Sequence, residues 1–331
     1  MIKLEKIELS VVIPVYHSAA IFPTLYERLV TTLEGFSDSF EIIAVVDGCT
    51  DNSADVIANV NKSDARVKLI EFSRNFGNQM AITAGLQYAK GDTVIVIDDD
   101  LEDPPEVIPG LVKKSQEGFD VVYAVRKKRH ISWLQHRIFK AYYTIFSKLS
   151  NYHVPEDVGD FCLMRRPVVD ALNAMPESHR YVRGLRSWAG FRQTGFEFDR
   201  QARHSGRSGF SLAGYSRFAF DAIFSFSHTP LFVSTYLGFA IALISFLLGI
   251  GFVVAKLLGL LPDVPGWASL VVIVLFSSGI QLLSIGVLGQ YIGRIYDEVK
   301  KRPPYIVKRS LGLEMGTSAA ENLNSKNSES A

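Results

Sequence analysis

The sequence predicts an α/β domain with a mostly parallel sheet, followed by a pair of membrane-spanning helices. Apolar, β-branched runs alternate with segments of helical spacing over the first part of the chain. Two long segments near the other end contain no charged residue. The net charge of +1 argues against a nucleic-acid binder that relies on global basicity, and two cysteines cannot form a disulfide framework.

Five apolar, β-branched runs predict strands. They are Leu9–Tyr16, Glu41–Asp47, Val67–Phe72, Thr93–Asp98 and Asp120–Val125. Apolar residues recur at helical spacing between these runs, as from Ile21 to Leu33, and predict covering helices. Continuous apolar strands separated by helices indicate a sheet that is covered on both faces. Ligands of such sheets bind beyond the carboxyl ends of the strands, where Asp47 and Asp98–Asp100 fall.

Two segments without Asp, Glu, Lys or Arg run from Ala222 to Ala255 and from Ala268 to Ile292. Each exceeds the roughly 20 apolar residues that a helix needs to cross a bilayer. We therefore predict two transmembrane helices, at about 231–256 and 267–292. A buried core helix would explain one such run, but two adjacent runs argue against it.

Basic residues indicate how the hairpin is oriented. Arg217 precedes it, and Lys300, Lys301 and Arg302 follow it. The only charged residue of the connecting loop is Asp263. The positive-inside rule then predicts a multi-pass protein of the inner (plasma) membrane, with the α/β domain and both termini in the cytoplasm.

The predicted boundaries divide the chain into four parts. They are a cytoplasmic domain at 1–212, a juxtamembrane amphipathic helix at 213–230, two transmembrane helices within 231–296, and a cytoplasmic tail at 297–331 with a disordered end. The amphipathic segment 133–149 fits equally a helix on the membrane surface or one packed on the sheet. Glycines at 286, 289 and 293 would allow a homo-oligomer through the membrane helices.

Three adjacent carboxylates, Asp98, Asp99 and Asp100, follow the fourth predicted strand. Like charges this close repel, so they indicate either a solvated turn or an opposing cation. In an extended segment Asp98 and Asp100 face the same side, and Asp99 faces the other. Mg²⁺ commonly takes one or two protein carboxylates together with substrate phosphates, which makes this pair a candidate metal site.

Six motifs precede the apolar hairpin in a characteristic order. They are VVIPVYHSA, VVDGCTDNS, NFGNQMAITAGLQYAKGD, DDDLEDPPE, DVGDFCLMRRPVVDAL and RHSGRSGFS. From Leu9 to Val307 the chain resembles the family 2 glycosyltransferases with a GT-A fold, a Rossmann-like catalytic domain. More narrowly it resembles the polyprenyl-phosphate glycosyltransferases of the dolichyl-phosphate mannose synthase and bactoprenol glucosyltransferase type. The stretch LGQYIGRIYDEVKKRPPYIV resembles the bacterial members with two spans.

The resemblance implies roles for individual residues. Nucleotide-sugar binding would involve Pro14, Tyr16, Asp47, Asp98, Asp99, Glu102, Arg203 and Ser208. Mg²⁺ or Mn²⁺ would bind Asp98 and Asp100, and the lipid phosphate would bind Arg126, Arg129 and Arg137. Catalysis would involve Asp157, Asp160 and Asp100, with Asp157 or Asp160 as the base or the orienting group.

The implied reaction is the inverting transfer of a hexose from a nucleotide sugar to a polyprenyl phosphate, undecaprenyl or dolichyl, at the cytoplasmic membrane face. UDP-glucose is the expected donor, and GDP-mannose and a UDP-aminoarabinose are the alternatives. A membrane-anchored scaffold that binds nucleotide sugar without catalysis is a further alternative. The chain departs from the family at Val46 and Cys49, where the family motif is Asp-Asp-Gly-Ser, and at Gly209, where the family more often has Lys. These departures leave the donor open.

Overall fold

A computed structural model describes residues 7–127, 158–178, 180–199, 229–258 and 266–313. The chain forms two compact units, of which the first contains residues 1–136, 154–208 and 303–331. The second unit contains residues 137–153 and 209–302. The predicted amphipathic segment 133–149 lies outside the described residues, as does the predicted juxtamembrane helix 213–230 except for its last two residues. The predicted disordered end of the tail, beyond residue 313, also lies outside them.

The first unit is built on an eight-stranded sheet. In chain order its strands are β1 Leu9–Val15, β2 Phe40–Val46, β3 Val67–Phe72, β4 Thr93–Val96, β5 Val121–Lys127, β6 Val158–Arg165, β7 Gln193–Asp199 and β8 Val307–Leu311. Their order across the sheet is β7-β5-β6-β4-β1-β2-β3-β8. Strands β4, β1, β2 and β3 are parallel, whereas β6 and β8 run antiparallel to their neighbours. The mostly parallel α/β sheet is confirmed.

Helices connect the strands of this unit. They are α1 Phe22–Glu34, α2 Ser53–Ser63, α3 Asn78–Tyr88, α4 Ile108–Gln116, α5 Arg166–Ala174 and α6 Val182–Trp188. Helix α1 buries Leu25, Leu29 and Leu33 because residues four apart lie on one helical face. A Cβ atom on Gly85 of α3 would lie 2.1 Å from a methyl group of Val12. The glycine therefore lets α3 pack closely on β1.

Strand β8 was not predicted from the sequence. It comes from residues that the sequence analysis assigned to the tail, and it pairs with β3 from Leu69–Leu311 to Phe72–Val307. Without it β3 would be an edge strand with a row of unpaired backbone groups. Strands β6 and β7, which extend the other side of the sheet, were not predicted either.

The second unit contains two long helices, α7 Thr229–Leu257 and α8 Trp267–Lys300. The Oγ atoms of Ser234 in α7 and Ser284 in α8 lie 2.8 Å apart. The predicted spans 231–256 and 267–292 fall inside these helices. Among the residues that the structure describes, one stretch, Ser234–Gly251, is long and apolar enough to cross a membrane. The hairpin of two transmembrane helices therefore remains a prediction.

Candidate active site

A cleft of about 290 Å³ lies beyond the carboxyl ends of β1, β2 and β4. It is lined by Pro14, Val15, Tyr16, Asp47, Asn75, Gly77, Asn78, Ala81, Asp98, Asp99 and Asp100. Strand β1 pairs in parallel with both β2 and β4, so the loops after these three strands converge at one edge of the sheet. The structure thus brings together six predicted site residues at the ends of β1, β2 and β4 or in the loops that follow, namely Pro14, Tyr16, Asp47, Asp98, Asp99 and Asp100.

The acidic run forms a turn. Strand β4 ends at Val96, Asp99 and Asp100 lie in the turn, and Leu101 has a positive φ of 59°. Because these residues form a turn and not an extended strand, side-chain alternation does not set the directions of Asp98, Asp99 and Asp100, contrary to the prediction. The turn is closed by the backbone N–H of Glu102, which donates to Asp100 Oδ1 at 2.9 Å. Glu102 itself is buried directly after the turn.

Asp99 fastens this turn to the loop after β1. Its Oδ2 atom accepts hydrogen bonds from the backbone N–H of Tyr16 at 2.9 Å and from the Ser18 hydroxyl at 2.5 Å. Burial raises the pKa of Asp99, and these two hydrogen bonds oppose that effect. The Tyr16 side chain remains 53% exposed. Asp99 therefore holds the backbone that presents Tyr16 to the cleft.

Asp98 has an unfavourable electrostatic environment. Burial raises its pKa well above the ordinary value, and the charges of Asp160, Asp103 and Asp100 raise it further. No residue within the described ranges donates a hydrogen bond to its carboxylate. A cation would relieve this repulsion, so the Asp98 carboxylate fits a metal ligand. Within the described ranges, no three His, Cys, Asp or Glu side chains are grouped as metal ligands.

Asp160 lies within β6, where its carboxylate is held by two other elements. Arg183 of α6 donates from Nε to Oδ1 at 2.7 Å and from Nη2 to Oδ2 at 3.1 Å, and Gln79 of α3 donates to Oδ2 at 3.4 Å. Burial alone would raise the pKa of Asp160, but the charge and hydrogen bonds of Arg183 hold it below its ordinary value. Asp160 is therefore a fixed anion beside Asp98.

Asp47, at the end of β2, supports the loop Ser73–Gly77, which we call the β3–α3 loop. Its carboxylate oxygens accept the backbone N–H groups of Phe76 at 2.6 Å and Gly77 at 2.8 Å. Burial raises the pKa of Asp47, and these two hydrogen bonds counteract the rise. Asp47 therefore fixes the backbone of this loop and also lines the cleft itself.

Gly48 lets the same loop approach β2. It has a φ of +61°, and a Cβ atom at this position would lie 2.1 Å from the carbonyl carbon of Arg74. Only glycine has both this backbone conformation and the space for such an approach. The β3–α3 loop is therefore packed directly against the end of β2.

Several predicted site residues are not among those that the structure describes. Arg129, Arg137, Asp157, Arg203 and Ser208 fall outside the described residues. Only the backbone of Arg126 is described, in β5. The structure therefore does not test their roles.

The site also contains residues that the sequence analysis did not single out. They are Ser18, Asn75, Gln79 and Arg183. Asn75 and Gln79 belong to a motif that carried the family resemblance without an assigned role. No motif marked Arg183, which reaches Asp160 only through the packing of α6 on the sheet.

Comparison with known proteins identifies the family. Residues 10–172 match the family described as Glycosyl transferase family 2. A protein of Synechocystis sp. named uncharacterized glycosyltransferase is 44% identical over 93% of this chain and 97% of its own length. The SfII prophage-derived bactoprenol glucosyl transferase of Shigella flexneri is 41% identical over 92% of this chain and 98% of its own length. A prophage bactoprenol glucosyl transferase homolog of Escherichia coli is 39% identical over 91% of this chain and 99% of its own length.

These matches extend over more than nine tenths of both chains. The acidic cleft after β1, β2 and β4 lies within the part of the chain that the family model matches. The sheet is the mostly parallel α/β type expected of a GT-A enzyme. The chain therefore belongs to glycosyl transferase family 2 and is a glycosyltransferase of the polyprenyl-phosphate type.

Proposed function

We propose that this enzyme transfers glucose from UDP-glucose to a polyprenyl phosphate at the cytoplasmic face of the membrane, with inversion at the anomeric carbon. The observation that carries the proposal is the near full-length similarity to proteins named bactoprenol glucosyl transferase. The acidic cleft supports it, because a divalent cation can bridge mutually repelling carboxylates of the protein and the diphosphate of a nucleotide sugar.

Asp98 and Asp100 would hold Mg²⁺ or Mn²⁺ against the donor diphosphate. Two carboxylates suffice, because Mg²⁺ usually completes its coordination with phosphate oxygens and water. The raised pKa of Asp98, caused by burial and the surrounding acids, supports this assignment. When bound, the cation would neutralise the charge that grows on the departing diphosphate.

In the proposed reaction an oxygen of the lipid phosphate attacks the anomeric carbon of glucose. The bond from that carbon to the diphosphate breaks, and UDP leaves with the electron pair. A phosphate monoester has a second pKa of about 6 and is mostly ionised at pH 7, so the protein has to orient it more than deprotonate it. Asp160, held charged by Arg183, is suited to orient groups on the sugar side of the cleft. A role as base falls to Asp157 in this proposal.

Donor and acceptor would be held by different parts of the chain. Asp47 and Asp99 hold the loops that carry Asn75, Gly77 and Tyr16 at the cleft. We assign Glu102, Arg203 and Ser208 to the donor phosphates and sugar. We assign Arg126, Arg129 and Arg137 to the lipid phosphate, because a guanidinium fork matches phosphate oxygens.

We propose that α7 and α8 both span the membrane and deliver the lipid. Large apolar side chains of both helices are exposed, including Phe239 at 69%, Phe246 at 65% and Phe276 at 66%. No charged residue occurs from Ala268 to Ile292 in α8. Side chains of this kind are stable in hydrocarbon and not in water.

The test is synthesis of labelled lipid by the purified full-length protein. With radiolabelled UDP-glucose, undecaprenyl phosphate and Mn²⁺ or Mg²⁺, we expect a glucosyl lipid of inverted anomeric configuration. Asp98→Ala and Asp100→Ala should each reduce its formation by about a thousandfold or more, because they remove charge stabilisation of the leaving group. Asp38→Ala, at an exposed acid of the same unit, is the matched control.

Other outcomes would change the proposal in defined ways. Product from GDP-mannose or a UDP-aminoarabinose alone would replace the donor. Binding of UDP-glucose without product from any donor would favour the non-catalytic scaffold. Full activity of Asp98→Ala or Asp100→Ala, or of the native enzyme in excess chelator, would refute the metal assignment.

A further inference from the structure

The residues that follow α8 return to the first unit and contact the start of the β3–α3 loop. The Tyr305 ring stacks on Phe72, the last residue of β3, with a centroid distance of 4.9 Å and an angle of 18°. The carbonyl oxygen of Ile306 accepts the backbone N–H of Ser73, the first residue of the loop, at 3.0 Å. The Tyr305 hydroxyl also donates to the side chain of Gln87 in α3.

These contacts continue toward the cleft. Phe72 packs edge to face on Phe76, with a centroid distance of 5.6 Å. The backbone N–H of Phe76 donates one of the two hydrogen bonds that the Asp47 carboxylate accepts. Asn75 and Gly77, on either side of Phe76, line the cleft. A continuous line of packed groups therefore runs from Tyr305 to the wall of the cleft.

The β3–α3 loop is thus restrained from two directions. Asp47 and Gly48 hold it from β2, and the segment Tyr305–Ile306 holds its start from the opposite side. Burial raises the pKa of the Tyr305 hydroxyl, in keeping with a ring enclosed in the fold. Two restraints from distant parts of the chain define the position of a five-residue loop better than either does alone.

We propose that Tyr305 and the backbone of Ile306 are positioning groups for the nucleotide-sugar donor. They act through Phe72 and Phe76 on the loop that carries Asn75 and Gly77 and do not touch the donor. The inference rests on the proposed function, because it takes the cleft to be the donor site. It assigns a role in donor binding to residues that follow the two long helices in the sequence.

The prediction separates donor binding from turnover. Tyr305→Ala should raise KM for UDP-glucose about tenfold, because an aromatic pair contributes roughly that factor. The kcat should stay within about twofold, since a change in ground-state positioning appears mainly in KM. Tyr305→Phe keeps the stacked ring and should retain a KM within about twofold of the native value. Calorimetric titration with UDP-glucose and Mn²⁺ should rank the affinities of the native protein, Tyr305→Phe and Tyr305→Ala in the same way as their KM values.

Lys308→Ala is the matched control in the same edge strand. It removes the ion pair of Lys308 with Glu71, at 2.5 Å, and leaves the contacts of Tyr305 in place. If Tyr305→Ala does not fold, as judged by its melting temperature, Tyr305→Leu takes its place. It keeps apolar volume but removes the stacked ring, so its KM for UDP-glucose tests the same inference. An unchanged KM in the folded variant, or an equal rise in Lys308→Ala, would overturn the inference. Failure of the native protein to bind UDP-glucose would instead refute the proposed donor.

Discussion

Asp160 and Asp98 are neighbouring carboxylates with opposite electrostatic environments. Burial raises the pKa of both groups, but Arg183 and Gln79 hold Asp160 as an anion, whereas further acids surround Asp98. Arg183 pairs directly with Asp160 at 2.7 Å, and its charge also acts on Asp98. We propose that this difference leaves Asp160 to orient a substrate and Asp98 to bind a metal ion.

Arg183→Met tests this difference at the level of one residue. The lowered pKa of Asp160 contributes stability above the ordinary carboxyl value of 3.8, and that contribution is lost as the pH falls through the lower value of the folded state. Without Arg183, only the charge of Arg186 and the hydrogen bond from Gln79 would oppose the effect of burial, so this pKa should rise. We expect a loss of about 3 kcal/mol of stability at pH 7, because a buried charge is left without its partner. The loss should shrink on acidification, as Asp160 takes up a proton.

Melting curves of the detergent-solubilised protein between pH 4 and pH 7 would measure this effect. Arg192→Met, at an exposed arginine, is the control and should match the native curve at every pH. A loss of stability in Arg183→Met that does not vary with pH would mean that Asp160 is not held charged by this ion pair.

The β3–α3 loop shows how one glycine sets the placement of an element. At Gly48 an added methyl group would meet both a positive φ and the backbone of Arg74 at 2.1 Å. Gly118 has a positive φ of 95° as well, but its nearest neighbour would be the Arg192 side chain at 3.4 Å. An alanine would be strained by the backbone conformation at both positions. Only at Gly48 would its methyl group also clash with neighbouring backbone.

Gly48→Ala should therefore destabilise the protein by about 3 kcal/mol or more, through strain and displacement of the loop. Gly118→Ala should cost about 1 kcal/mol, from the backbone conformation alone. Melting temperatures of the two variants in the same detergent provide the comparison. Equal costs would mean that the β3–α3 loop is free to move away from β2.

At the scale of the element, the sequence predicted the buried strands and helices of regular pattern better than the edge strand β8. The first five strands and helix α1 follow from apolar runs and spacing, because burial on both sides imposes that composition. Strand β8 could not be predicted, since VKRSL is short and charged, as edge strands commonly are. Only its pairing with β3 defines it as a strand.

The cleft was predictable in position and less so in detail. Residues after parallel strands meet at one edge, which placed Asp47 and the acidic run correctly. The partners of Asp47 and Asp99 include backbone N–H groups of Phe76, Gly77 and Tyr16. Every residue but proline offers such a donor, so the sequence carries no signal for these contacts.

At the scale of the whole molecule, the topology of α7 and α8 determines whether the proposed lipid acceptor can reach the cytoplasmic side, where we propose that the first unit lies. If both helices span the membrane, Asp263 in their connection faces outward. We expect Asp263→Cys to react with an impermeant maleimide in intact spheroplasts. Asp38→Cys, at an exposed position in the first unit, should react only after lysis.

The unmodified protein is the reference for this labelling. Its Cys49 and Cys162 both lie in the first unit and should stay unlabelled in spheroplasts. Protection of Asp263→Cys in spheroplasts, with reaction after lysis, would contradict the two-span arrangement and the positive-inside prediction.

The eighth strand has a consequence for how the protein is made. Strand β3 ends at Phe72, yet its partner β8 begins only at Val307, after both long helices. At a synthesis rate of about 5–20 residues per second, β3 leaves the ribosome roughly 10–50 s before its partner exists. The nascent sheet therefore keeps an unpaired edge while the apolar helices are translated, and the first unit gains its eighth strand only afterwards.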